Sequence, residues 1–201
     1  MNPVMAHGEW KTNGAMIADA ARLGYLDGHV LDPTYGLGLW WTDWKPERLT
    51  ASDLDINKSP LGTSVDFTDL PWKDETFDAV AYDPPYKLQG SAHDKAQSNR
   101  FGVDVRRTRD ELHALMNGGL RECARVTKTG GCVLAKCQDQ IEGGKMRWQT
   151  DMLTRTGMSC CLLKVDRLQM PSYRAQPSGR NQRHARNNFS TLLIFRKVED
   201  R

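Results

Sequence analysis

The sequence predicts an α/β fold in which helices cover a mostly parallel sheet, and three observations carry that prediction. Short β-like apolar runs alternate with segments of helical period along most of the chain, the pattern of strand–helix–strand units. An apolar run at 29–32 feeds directly into a turn holding Gly36 and Gly38, residues that let backbone pass close to a ligand. A second run, Phe77–Tyr82, stops abruptly at Asp83-Pro84-Pro85-Tyr86. Prolines cannot donate to a ladder and hold the backbone extended, so the strand ends there and leaves a carboxylate, a carbonyl and a ring at its carboxyl end. In open α/β sheets that end is where ligands bind.

The elements follow in order. Apolar residues at Ala15, Met16, Ala18, Ala20, Ala21 and Leu23 predict a helix over 13–23, capped by Thr12 or Asn13 and ended by Gly24. The first strand ends in Asp32-Pro33 and enters the glycine turn. Leu39-Trp40-Trp41-Thr42-Asp43-Trp44-Lys45 then meets Pro46, which leaves room for one or two helical turns, with the tryptophans as cover for a truncated layer. Residues 48–53 read as the second strand, ending in Asp53, with Asp55 two positions on. The segment 64–72 precedes the strand that carries the proline corner, and 87–107 has no sustained period, a loop of uncommon length for a compact domain. A helix over 110–126 (despite Gly118-Gly119), a strand over 130–136 and a helix over 146–156 continue the alternation. Two β-like runs, 158–165 and 190–196, have no helical pattern between them and predict an antiparallel pair at the sheet edge.

At 201 residues and 39% hydrophobic, the chain fits one domain with a sizeable core. No apolar run approaches membrane-spanning length and the first ten residues lack the layout of a signal peptide, so a cytoplasmic protein with no membrane contact is expected. The five cysteines, at 123, 132, 137, 160 and 161, include no Cys-x-x-Cys pair and no histidine at zinc spacing. Reduced structural cysteines and no metal are expected, with Cys160 and Cys161 on opposite faces of a strand. The net charge of +3 conceals a split: residues 1–100 carry 9 Lys/Arg against 15 Asp/Glu, and residues 101–201 carry 19 against 10. The basic half is the one suited to a polyanion.

Asp83-Pro84-Pro85-Tyr86 resembles the catalytic motif of S-adenosylmethionine-dependent amino-methyltransferases, above all those that methylate N6 of adenine in DNA. The resemblance implies a class I methyltransferase (Rossmann-like) fold with a mostly parallel seven-stranded sheet of order 3-2-1-4-5-7-6, the last strand antiparallel. It makes S-adenosylmethionine the cofactor and DNA the partner. The Asp83 carboxylate and Pro84 carbonyl accept the two amino hydrogens, Pro85 holds the corner extended, and Tyr86 stacks on a base taken out of its helix. It assigns Asp32, Pro33, Gly36 and Gly38 to the cofactor motif and Asp53, with Asp55 as alternate, to the ribose hydroxyls. Asp66 is assigned to the cofactor's adenine amino group and Phe67 to its ring. Lys11-Thr12-Asn13 stands where the family often has a segment touching the methionine end.

Beside such a corner, the loops at 87–107 and 166–189 are candidates for nucleic-acid contact, through Arg106, Arg107, Arg174, Arg180, Arg183 and Arg186. From Arg167 to Val198 there is no acidic residue, and arginine with amides and an aromatic is the kit for phosphate clamping and stacking. The chain offers no sizeable target-recognition region, which leaves room for a short recognised site, a homodimer or a specificity partner. The alternatives are methylation of an RNA amino group, adenine N6 or guanine N2, and a non-catalytic methyltransferase-like subunit that holds nucleic acid. N4 of cytosine and glutamine fit the motif less well, because those enzymes commonly begin it with serine and asparagine.

Overall fold

The computed structural model describes residues 3–87, 107–142, 145–171, 185 and 187–200. Helix α1 (Asn13–Arg22) starts at Thr12, whose hydroxyl accepts from the Ala15 N–H at 3.1 Å, and its chain exit turns at Gly24 with φ +80°. Strand β1 (His29–Asp32), a single 3-10 turn (Leu39–Trp41) and β2 (Arg48–Ala51) follow. The short crossover predicted from Pro46 is thus observed. Strand β3 (Phe77–Tyr82) leads to the proline corner. Helix α2 (Arg109–Val126) opens with a capping box between Thr108 and Glu111, which satisfies two otherwise orphaned N–H groups. Strand β4 (Thr127–Cys137), the hairpin β5 (Gln140–Glu142) and β6 (Lys145–Arg147), helix α3 (Gln149–Met158), β7 (Leu162–Pro171) and β8 (Phe189–Lys197) complete the order.

The sheet runs β2-β1-β3-β4-β8-β7, with β8 antiparallel to both neighbours and the other pairings parallel. It is the mixed α/β architecture expected, with six described strands in this sheet where the resemblance implies seven. Residues 64–72 supply no strand. Only Ser64 bridges, to Asp53, and the backbone beyond turns on itself, with the Thr68 N–H donating to Asp66 Oδ1 at 2.8 Å. Val65, Phe67 and Leu70 still bury against the core, so the alternation of Val65 and Phe67 is present without a ladder.

Three further boundaries differ from the sequence prediction. Residues 145–147 pair in the hairpin, so α3 begins after them, and Asp139 takes the Thr150 N–H at 2.9 Å from outside the helix. Strand β7 begins at Leu162, because Cys160 and Cys161 form the turn out of α3, Cys161 at φ +61°. Neither is a strand residue; both are half-buried and free. Strand β4 starts at Thr127, directly after α2, with an irregular register against β3 between Phe77 and Ala79.

Alternation divides the core into two faces. Val80, Tyr82, Val133 and Ala135 pack under α2 and α3, and Ala79, Ala81, Cys132 and Leu134 pack under α1 and the tryptophan turn. Gly119 explains its own presence inside α2: a Cβ there would collide with the Tyr82 hydroxyl and the Phe67 ring. The bare backbone lets Tyr82 donate to the Met116 carbonyl at 3.1 Å.

Candidate active site

The proline corner is built by two neighbouring strands that end in charge. On the α1 face β3 presents Ala79, Ala81 and then, one step past its end, Asp83; β4 presents Cys132, Leu134 and then Lys136. Each side chain at the carboxyl end of its apolar ladder faces the same corner, and Lys136 Nζ lies 4.0 Å from Asp83 Oδ2.

Asp83 is held from three directions. Its N–H donates to Thr34 Oγ1 at 2.9 Å, and its Oδ2 accepts the indole N–H of Trp40 at 3.0 Å, with Lys136 beyond. Its Oδ1 is buried and has no hydrogen-bond partner among the described residues. An acceptor left so is costly, by about 1–3 kcal/mol for a neutral group and more for a charged one. Pro84 is buried, Pro85 and Tyr86 half-buried. The Tyr86 carbonyl accepts two amide N–H groups, from Gln140 Nε2 at 2.9 Å and Gln149 Nε2 at 2.8 Å. Lys87 and Lys136 approach the Tyr86 ring to 5.2 and 5.9 Å from its centroid.

Asp32 occupies the end of β1 beside this corner. Its Oδ1 accepts from the Thr34 N–H at 2.9 Å and its Oδ2 from the Trp41 indole at 2.7 Å. Burial outweighs these bonds and pushes the carboxyl up to about 7. The consecutive tryptophans of the truncated crossover therefore each give an indole N–H to a different acid, Trp40 to Asp83 and Trp41 to Asp32. They are cover, as their sequence suggests, and donors as well.

The glycine turn is stapled to the second strand. The Tyr35 N–H donates to the Ser52 carbonyl at 3.0 Å and the Gly36 N–H to Asp53 Oδ2 at 2.8 Å. Gly36 and Gly38 take φ of +55° and +66°, the left-handed region that favours glycine. A Cβ on Gly36 would meet only the Thr34 carbonyl, at 3.9 Å, whereas one on Gly38 would collide with the Tyr35 ring. Asp53, not Asp55, is the acid brought here; Asp55 turns to the Asn57 N–H and, at 3.3 Å, to Lys58. Pro33 is buried between Asp32 and the turn. Asp66 Oδ1 is engaged by Thr68, and the Phe67 ring, 8% exposed, lies edge-on to Tyr82 in the core with centroids 5.5 Å apart.

Of the basic candidates, Arg107 is half-buried just before the α2 cap, while Arg106, Arg174, Arg180, Arg183 and Arg186 lie outside the described residues. Between the first turn of α3 and the β7–β8 ribbon is a groove of about 370 Å³, lined by Trp148, Lys164, Arg167, Gln169 and Asn187 and also by Asp139, Thr150 and Asp151, over Thr191 and Leu193. It exists because α3 is too short for the ribbon beneath it. Ten helical residues cover about 15 Å, whereas the ten residues of β7 rise about 33 Å. Among the described residues no group of three or more His, Cys, Asp or Glu could hold a metal ion, and no helix is long and apolar enough to cross a membrane.

Sequence reasoning missed Thr34, Trp40, Trp41, Lys136, Gln140 and Gln149 as parts of the site. One signal was available for Lys136: it ends an apolar run, 132–135, as Asp83 ends its own.

No protein-family model and no curated protein matches the sequence. Among solved structures, a candidate methyltransferase from Bacillus halodurans superposes with a TM-score of 0.58 at 15% identity, over 92% of this chain and 100% of that one. The N-methyltransferase NodS from Bradyrhizobium japonicum superposes with a TM-score of 0.53 at 15% identity, over 92% and 96%. A candidate DNA modification methylase from Thermus thermophilus aligns with a TM-score of 0.43 at 11% identity, over 65% of this chain and 48% of that one, so the alignment spans about half its length. The fold is that of class I methyltransferases.

Proposed function

We propose that the protein transfers a methyl group from S-adenosylmethionine to N6 of adenine in DNA. The observation that carries this reading is Asp83 Oδ1, a buried acceptor with no partner among the described residues, set beside the Pro84 carbonyl and the half-buried Tyr86 ring. The exocyclic nitrogen of adenine is a poor nucleophile because its lone pair is delocalised into the ring. Two acceptors that hold both of its hydrogens favour a pyramidal nitrogen with the lone pair directed away from them. Asp83 Oδ1 and the Pro84 carbonyl take those hydrogens, and Tyr86 holds the flipped ring by stacking. The proton surplus to the methylated nitrogen leaves along the N–H that Asp83 holds. Catalysis is then positioning plus local electrostatics.

The residues present fit the cofactor. Gly36 leaves its part of the turn without a side chain, Asp53 stands at the turn for hydroxyl groups, and Asp32 closes the end of β1. Asp66, on the loop at 64–72, belongs to the same assignment, whereas the Phe67 ring is given to the core against Tyr82. When bound, the cofactor supplies an electrophilic methyl group whose carbon–sulfur bond breaks as the bond to nitrogen forms.

The nucleic-acid part of the reading is supported by the basic carboxyl-terminal half and by the groove between α3 and the β7–β8 ribbon, where Asp139 and Asp151 share the lining with Lys164 and Arg167. Trp148, 55% exposed, offers a stacking face there, and Lys164 and Arg167 offer phosphate contacts. Arg106, Arg107, Arg174, Arg180, Arg183 and Arg186 extend the same assignment along the two loops.

The test incubates the purified protein with methyl-labelled S-adenosylmethionine and, separately, unmethylated duplex DNA and total RNA, and digests each product to nucleosides for mass spectrometry. N6-methyladenine in DNA is the expected product. A methylated base in RNA alone would move the acceptor while keeping the site, and label in neither would overturn the assignment.

A further inference from the structure

Lys136 is 3% exposed and is the only buried lysine or arginine among the described residues. Its register partner on β8 is the fully buried Leu192, and Leu134 precedes it on the same face. Nothing in that ladder calls for a charge. The ammonium instead reaches the first residue of α1, donating to Asn13 Oδ1 at 2.7 Å, and lies 4.0 Å from Asp83 Oδ2.

Two features of this placement are unfavourable on their own. A buried ion loses its hydration, and well-packed apolar side chains in place of a buried ion pair are often neutral or stabilising. The positive end of the α1 dipole also faces the cation. Asn13 is free to offset this because Thr12, not Asn13, caps the helix. The arrangement has a consequence for Asp83: the Trp40 indole and the Lys136 ammonium both address Oδ2, and Oδ1 is left without a partner among the described residues.

We propose that Lys136 is a positioning residue for the amino-group acceptor: anchored by Asn13, its ammonium joins Trp40 in holding the Asp83 carboxylate by Oδ2, so that Oδ1 faces the incoming N–H. The inference rests on the base-methylating reading above. Lys136 acts through Asp83 and moves no proton itself.

The experiment compares wild type with Lys136→Met and Lys136→Arg by three measurements. These are the ¹H–¹⁵N resonance of the Trp40 indole, assigned with Trp40→Phe; S-adenosylmethionine affinity by calorimetry; and single-turnover methyl transfer to duplex DNA. In Lys136→Met the Trp40 resonance moves from its hydrogen-bonded position and the rate falls on the order of 100-fold, the scale of a small misplacement at a reacting centre. Cofactor affinity stays within about threefold, and Lys136→Arg recovers at least a tenfold part of the loss. An unmoved Trp40 resonance, an unchanged rate, or an equal loss of cofactor affinity and rate would each overturn the proposal. If wild type methylates no base, the functional reading fails by itself, and the Trp40 resonance in Lys136→Met still decides whether the ammonium orients Asp83. The apolar replacement suits the surrounding ladder; should it fail to fold, Lys136→Gln carries the same three measurements.

Discussion

Trp40 donates its indole N–H to Asp83 Oδ2 at 3.0 Å across 43 positions of sequence. This bond ties the turn after β1 to the corner after β3 and settles which carboxylate oxygen remains available. Removing the donor alone tests its weight. Trp40→Phe keeps a ring under α1 and releases Oδ2; methyl transfer should fall about 10-fold or more, with cofactor affinity little changed, measured by single-turnover kinetics and calorimetry.

Asp83→Ala should reduce methyl transfer by a factor on the order of 10²–10³ or more, the scale of losing a preorganised group at the reacting atoms. Cofactor binding should survive, because the glycine turn and Asp53 are held by bonds that do not involve Asp83. Equal loss of both would remove Asp83 from the role assigned to it.

Asp32 gives a pH dependence with a definite sign. Its folded-state value, about 7, lies above the ordinary 3.8 because burial disfavours the charged form. The folded protein therefore binds more protons than the unfolded chain between those values. The stability this group contributes is fully present below the unfolded value and is lost as pH rises through about 7, with a slope of at most about 1.4 kcal/mol per pH unit. Urea unfolding of wild type and Asp32→Asn across pH 4–8 isolates it: wild type should lose stability relative to the variant with rising pH.

The two adjacent glycines of α2 should respond oppositely to alanine. At Gly119 a Cβ meets the Tyr82 hydroxyl and the Phe67 ring, and overpacking of this kind costs about 1–3 kcal/mol. At Gly118 the nearest atom is the Thr68 methyl at 3.6 Å, an ordinary contact, so Gly118→Ala should gain roughly 0.5–1 kcal/mol from helix propensity. Thermal or urea unfolding reads both.

Replacing Trp148 with alanine should weaken DNA binding by roughly 1–3 kcal/mol without changing its salt dependence, since stacking carries no counterion release. Replacing Lys164 and Arg167 should weaken it and flatten the dependence of log K on log salt. Fluorescence anisotropy over a salt series separates the two behaviours.

Much of this was legible in the sequence because it depends on local rules. Pro84 and Pro85 end β3, Pro46 truncates the crossover, and the 3.6-residue period marks α1 and α2. Which of Asp53 and Asp55 meets the glycine turn was not, since both acids follow the same strand and only the Gly36 N–H, 17 positions from Asp53, distinguishes them. The segment 64–72 misleads because alternate burial of Val65 and Phe67 looks the same whether or not a ladder forms. Trp40, Trp41 and Lys136 escape notice because a tryptophan or an isolated lysine carries no mark of the partner that folding brings to it. The β5–β6 hairpin has the same difficulty: each strand is three residues long, too short for a period to register.

Gln140 and Gln149, one from the hairpin and one from the first turn of α3, both donate to the Tyr86 carbonyl. The downstream end of the four-residue corner is thereby clamped by elements that come later in the chain. The corner therefore takes part of its support from chain that comes 54 and 63 positions later, and a chain cut before Gln140 would leave the Tyr86 carbonyl without either amide.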